Sequence, residues 1–184
     1  MLIDKKATLS MLALVLAMVV AIPPAPLAAQ ASTDSAEVSA LLEEAKREAV
    51  QLRLDTEEMQ TFTRSNLNWR SFATKITKIK RHVNNLGATI DKLNSTRGEG
   101  SAWQQQAIDR IDPLLKELVS SVTATISQLN EHQGRVHSVH YKEYVKANHE
   151  QASNLAALVS DFVEYGKTKN KMEEIAKNPE VPER

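Results

Sequence analysis

Apolar residues recur every three or four positions through most of the chain. The plainest run is Trp69, Phe72, Ile76, Ile79, Val83, Leu86, Ile90 and Leu93, spaced 3, 4, 3, 4, 3, 4, 3. That spacing is a heptad stripe on one side of an α-helix; a strand would alternate with period two. A second stripe holds Ile111, Leu115, Leu118, Val122, Thr125 and Leu129. A third holds Val38, Leu42, Ala45, Ala49, Leu52, Met59 and Phe62. The last holds Tyr141, Val145, Ala152, Leu155, Val159 and Phe162, interrupted by Asn148.

Turn-forming residues separate the stripes. STRGEGS (95–101) and NEHQGRVHS (130–138) are clear breaks, and RSNLN (64–68) is a weaker one. The pattern therefore predicts helices over 34–63, 67–95, 101–131 and 138–176, here segments A to D. Ser101 with Gln104 has the form of a capping box, and Ser138 can cap segment D. Pro113 lies inside segment C and predicts a kink; the alternative is a fresh helix capped by Asp112. A thirty-residue helix is about 45 Å long, and short connections force sequence neighbours to run antiparallel. The expected fold is all-α: an antiparallel up-down-up-down four-helix bundle over 32–176. A continuous A–B helix in a three-helix or dimeric arrangement is the rival, opposed by Asn66 and Asn68.

Charge sharpens the pairing. Segment A has 8 acidic and 3 basic residues; segment B has 6 basic and 1 acidic. Folding back at 64–68 would bring Asp55 near Lys75 and Glu48 near Arg81. His82 flanks the stripe of B and is expected to pack against A.

The N-terminus reads MLIDKK, an apolar run of sixteen residues over 7–22, then PPAPLAAQA. This is the layout of a secretory signal peptide over 1–31, cleaved after Ala31 in Ala29-Gln30-Ala31. The alternative, an uncleaved anchor, needs a span of ~20 residues, and Pro23, Pro24 and Pro26 end this one early. After cleavage 22 acidic and 21 basic residues remain, so no basic face invites nucleic acid. The chain has no cysteine, which excludes disulfides, thiolate chemistry and cysteine-bound haem or zinc. The C-terminal KTKNKMEEIAKNPEVPER reads as a frayed end, disordered over 177–184, or as a projecting docking segment.

Candidate chemistry is sparse. His132, His137 and His140 lie in and beside the C–D turn, which the bundle places at the same end as the A–B turn. Phe62, Trp69, Phe72, Tyr141 and Tyr144 gather there too. Phe62, Trp69, Tyr141 and Tyr144 are the candidate partner-binding residues, to be judged by exposure. The three histidines could hold zinc or copper if they converge, with Glu131 and Glu143 as available carboxylates. No histidine follows a glutamate at the Glu-x-x-His spacing of a di-iron bundle. His149-Glu150 lacks a second histidine, since Ser153 occupies that place. There is no Gly-x-Ser-x-Gly elbow and no glycine-rich phosphate loop. Asn84, Asn85, Thr125, Asn148 and His149 are the polar residues in or beside the stripes. They are expected to bond their neighbours, or to line an interior pocket near Asn148.

The runs SAWQQQAIDRIDPLL (101–115) and SDFVEYGKTK (160–169) resemble a group of bacterial, signal-peptide-bearing, all-helical proteins of unassigned function. The resemblance implies export and an all-helical fold; it implies no activity, cofactor or catalytic residue. Together these readings describe an exported, non-enzymatic protein, periplasmic or extracellular, that binds an unknown protein partner or itself. The alternatives are a divalent-metal-binding protein, or a sensor-like module held at the membrane by an uncleaved leader.

Overall fold

The computed structural model describes residues 33–178, so the leader reading over 1–31 and the end of the chain from 179 lie outside the described residues. Four helices follow in order: α1 (Ala36–Phe62), α2 (Trp69–Thr96), α3 (Ala102–Glu131) and α4 (Val139–Lys177). Single 3-10 turns at Arg97–Glu99 and Gln133–Arg135 precede α3 and α4. The described residues contain no strand, and the fold is all-α.

Side chains close the helix starts. Ser35 Oγ accepts from Val38 N at 3.3 Å, Asn68 Oδ1 from Arg70 N at 3.0 Å, and Ser138 Oγ from Tyr141 N at 3.2 Å. Each satisfies one of the amides that a helix start leaves unpaired. At α3 the glutamine half of the capping box forms: Gln104 Oε1 accepts from Ser101 N at 2.9 Å. The same oxygen accepts from Ser35 N at 2.9 Å, and Gln104 Nε2 donates to Ser35 O at 2.8 Å. One buried glutamine thus joins the starts of α1 and α3. At the end of α1, Thr63 and Ser65 hydroxyls donate to Gln60 O (2.7 Å) and Phe62 O (2.9 Å). Those bonds compete with helix continuation, and the continuous A–B helix is not formed. α3 runs unbroken through Pro113, so no fresh helix begins at Asp112, whose carboxylate instead pairs with Lys116 at 2.6 Å.

α1 packs against α2 and α4, and α3 packs against α2 and α4. The apolar stripes supply the core: Leu42, Leu52, Phe72, Ile79, Leu86, Ile111, Leu118 and Leu155 are fully buried. Polar bonds show how the partners are aligned. Glu44, Glu48 and Asp55 of α1 meet Thr89, His82 and Lys75 of α2, at 3.0, 2.7 and 3.3 Å. Position rises on one helix as it falls on the other. Glu43 and Lys46 of α1 meet Lys167 and Glu164 of α4, and Glu117 and Thr125 of α3 meet Gln151 and Asn148 of α4, in the same opposed sense.

Three expectations change. Glu48 pairs with His82, not Arg81, because His82 lies next to the buried Val83 while Arg81 faces solvent. Near its end the stripe of α4 passes through Val163 and Gly166 rather than Phe162, which is partly buried under the Arg110 guanidinium. A straight helix of 3.6 residues per turn drifts away from a strict heptad. Finally, the chain beyond Gly166 remains helical to Lys177, so Lys177 is not part of a disordered tail. Residues 171–178 are exposed, and they carry Met172 and Ile175, 66% and 60% accessible.

Candidate functional site

The α1–α2 and α3–α4 turns meet at one end. His137 Nε2 lies 2.8 Å from Leu67 O across the two turns. A carbonyl only accepts, so the ring hydrogen sits on Nε2. Phe72, fully buried, receives Phe62, Tyr141 and His137 edge-on, with ring centroids 5.8, 5.7 and 5.9 Å away. Aromatic rings favour this edge-to-face geometry.

The four candidate partner-binding residues divide. Tyr141 is core, 4% exposed, and burial pushes its phenol well above the ordinary range. Its hydroxyl has no hydrogen-bond partner. Phe62 and Trp69 are partly buried against the core, with the Arg70 guanidinium 5.0 Å over the Trp69 ring. Tyr144 is partly buried and lies edge-on to His140 at 4.9 Å.

The histidines divide as well. His137 is held by Leu67 and Phe72. His140 is exposed, with Nδ1 4.0 Å from Glu143. His132 is exposed and terminates α3. Among the described residues no group of three histidine, aspartate or glutamate side chains is placed to hold a metal ion.

Between α3 and the start of α4 opens a cleft of about 260 Å³, lined by Gln128, His132, Arg135, Ser138, His140 and Tyr141. No acidic residue lines it. Arg135 was not singled out from the sequence, where a lone arginine in a turn carries no signal.

Two further clusters escaped the stripe pattern. Along α1 and α2, Asp55 is 2% exposed; its carboxylate faces Lys75 at 3.3 Å, Lys78 at 3.4 Å and His82 Nε2 at 3.3 Å. Burial would depress the Lys75 ammonium, but Glu58 and Asp55 outweigh it and hold the group above its ordinary range. At the opposite end Trp103 Nε1 donates to Asp34 at 2.8 Å, and Lys169 approaches Asp34 at 3.2 Å. Burial would raise the Asp34 carboxyl; the nearby Ser101 hydroxyl and the bonds from Trp103 and Lys169 overcome that and hold it below the usual range. Asp34 is 69 and 135 positions from Trp103 and Lys169, and no local motif marks such contacts.

The polar residues of the stripes act on neighbours. Asn148 Nδ2 donates to Thr125 Oγ1 at 2.8 Å, which donates to Ser121 O at 2.9 Å. Asn85 reaches Glu48 at 3.4 Å. Asn148 Oδ1 and His149 Nδ1 are buried without partners.

Comparison of the chain with protein-family models, with curated proteins and with solved structures gives no significant match. Among the described residues no helix is long and apolar enough to cross a membrane.

Proposed function

We propose that the chain is an exported, non-enzymatic up-down-up-down four-helix bundle that serves as a binding or structural module of the cell envelope, periplasmic or extracellular. The opposed pairings of α1 with α2, α1 with α4 and α3 with α4 support the bundle. The leader-like N-terminus supports export, and the lack of any nucleophile or phosphate-loop motif supports a non-catalytic role.

The working surface is the end where the two turns meet. The observation that carries this is the His137–Leu67 bond, which fixes two loops side by side. Loops on a rigid scaffold are the usual carriers of binding residues. Exposed His132, Arg135 and His140 are thereby held at the same end as partly buried Trp69 and Tyr144.

Two measurements test the reading. Mass spectrometry of the protein from the producing cell should give an N-terminus at Ser32; an intact leader would replace export by membrane tethering. Cross-linking in the envelope fraction, followed by sedimentation, should give a heteromeric or self-associated species. A folded Trp69→Ala/His140→Ala variant should lose it. Equal capture by the variant would remove this end from the binding role.

A further inference from the structure

Among the described residues, His82 is the histidine with a carboxylate on each ring nitrogen. Its Nδ1 lies 2.7 Å from Glu48 Oε2, and its Nε2 lies 3.3 Å from Asp55 Oδ2. Both acids stand on α1 and the ring on α2, so one side chain spans two turns of the neighbouring helix. The place is closed: the His82 side chain is 12% exposed and Asp55 is 2% exposed. Other groups already occupy the rest of the cluster. Asp55 Oδ1 faces Lys75 at 3.3 Å and Lys78 at 3.4 Å, and Glu58 of α1 takes Lys75 as well. Asn85 Nδ2 reaches the other Glu48 oxygen at 3.4 Å. Asp55 Oδ2 is otherwise without a hydrogen-bond partner. α3, the other neighbour of α2, places no described carboxylate within 4.0 Å of the ring.

Counting donors gives the consequence. A carboxylate only accepts, so a ring nitrogen bonds its acid only while it carries a hydrogen. The imidazolium carries two hydrogens and meets both acids. The neutral ring carries one; it can serve Glu48 or Asp55, and it turns a lone pair toward the other. A buried carboxylate oxygen left without a donor is costly, and bonds between charged groups are the strong ones. Histidine is the side chain that ordinarily changes charge between about pH 5 and pH 8. Free aspartate and glutamate titrate well below that window, at roughly pH 4.

We propose that His82 is a proton-operated clasp on the seam between α1 and α2. With two ring hydrogens it ties Glu48 and Asp55 together; with one it releases an acid. Its contribution is whole on the acid side of the histidine window and shrinks as pH rises through it. Lys75 and Lys78 keep Asp55 Oδ1 in either state, so the ring governs only Oδ2 and Glu48. An acidified compartment therefore holds α1 and α2 together more firmly. The inference concerns the shaft of the bundle and stands whichever partner the turn end meets.

Urea denaturation of residues 32–184 tests it, with His82→Gln beside the parent, because glutamine keeps an amide donor and does not titrate. The unfolding constant of His82→Gln divided by that of the parent should be about tenfold larger at about pH 5.5 than at about pH 8. Arg81→Gln, the exposed neighbour, should keep the parent's pH profile. A ratio that does not change with pH overturns the inference. So does a profile flattened equally by Arg81→Gln, since the effect would then be one of general charge. Should His82→Gln fail to fold, nitrogen NMR of the parent decides. It should show hydrogens on both His82 ring nitrogens at about pH 5.5 and on only one at about pH 8. One hydrogen at both values, or two at both, overturns the inference.

Discussion

Two glycines should answer the same substitution with opposite signs. A Cβ on Gly87, within α2, would meet no atom within 4 Å, whereas a Cβ on Gly166, within α4, would lie 2.7 and 2.9 Å from Trp103 Cη2 and Cζ2. Carbon atoms attract best at roughly 3.5–4.0 Å, so the added methyl and the indole cannot both keep their places. The indole is not free to slide: its Nε1 is bonded to Asp34 and its ring lies against Tyr165 at 5.5 Å. Replacing glycine by alanine inside a helix gains about 1 kcal/mol. Overpacking costs about 1–3 kcal/mol. Gly87→Ala should therefore stabilise by about 1 kcal/mol, and Gly166→Ala should lose up to about 2 kcal/mol, a separation of about 1–3 kcal/mol. Urea denaturation of residues 32–184 resolves this, and the melting temperatures should differ by several degrees. In a Trp103→Ala background the clash is gone, and Gly166→Ala should recover its gain; the double-mutant cycle isolates the contact. Equal stabilisation by both alanines would refute the reasoning, because it would mean that the Trp103 ring yields without cost.

Asp55→Ala should cost about 1–3 kcal/mol, because it removes the buried carboxylate shared by Lys75, Lys78 and His82 and leaves Lys75 to Glu58 and His82 to Glu48, whereas Glu57→Ala on the exposed side should stay within about 0.5 kcal/mol; a loss below about 1 kcal/mol for Asp55→Ala would contradict the role of the buried carboxylate. Thr125→Val should cost about 1–3 kcal/mol by leaving the Asn148 amide unpaired, and Thr125→Val/Asn148→Leu should restore most of it; urea midpoints decide. The Asp34 carboxyl is held below its ordinary value, so its contribution is complete above the unfolded aspartate range near pH 4 and fades as pH falls through the folded value. Asp34→Ala should accordingly be less stable than the parent at pH 7, and the gap should shrink steadily as pH falls from the unfolded aspartate range through the folded value; a gap that does not shrink in acid would show that the side chain acts through packing instead.

Periodicity made the helices legible because each buries one stripe, and all eight predicted bounds lie within two residues of those observed. The breaks were legible for the same reason: Gly98, Gly100 and Gly134 sit in turns, and Asn68, Ser101 and Ser138 stand at helix starts. What stayed hidden was polar and distant. The stripe of segment A skipped from Leu52 to Met59, yet Asp55 and Thr56 fill that gap and are buried. A buried carboxylate is indistinguishable in sequence from a solvated one until its partners are placed. The complement of charge between A and B anticipated the Asp55–Lys75 pair, but which side chain opposed Glu48 depended on helix phase, a matter of one residue. At the turn end, the gathering of histidines and aromatics was readable from topology. The cleft beside Arg135 was not, because it is a shape made by a 3-10 turn between two helix ends.

Apolar side chains repeated every seven residues match themselves again after a slip of one heptad, so hydrophobic burial alone cannot choose between neighbouring alignments of α1 and α2. Asp55 can. Displaced seven places one way it would face Asn68, Ser71 and Lys75 in place of Lys75, Lys78 and His82; displaced the other way it would face His82, Asn85 and Thr89, so either slip leaves one basic side chain where the native alignment has three. A single submerged acid thus acts as a vernier mark, letting two otherwise self-similar rods settle in only one of several nearly equivalent positions.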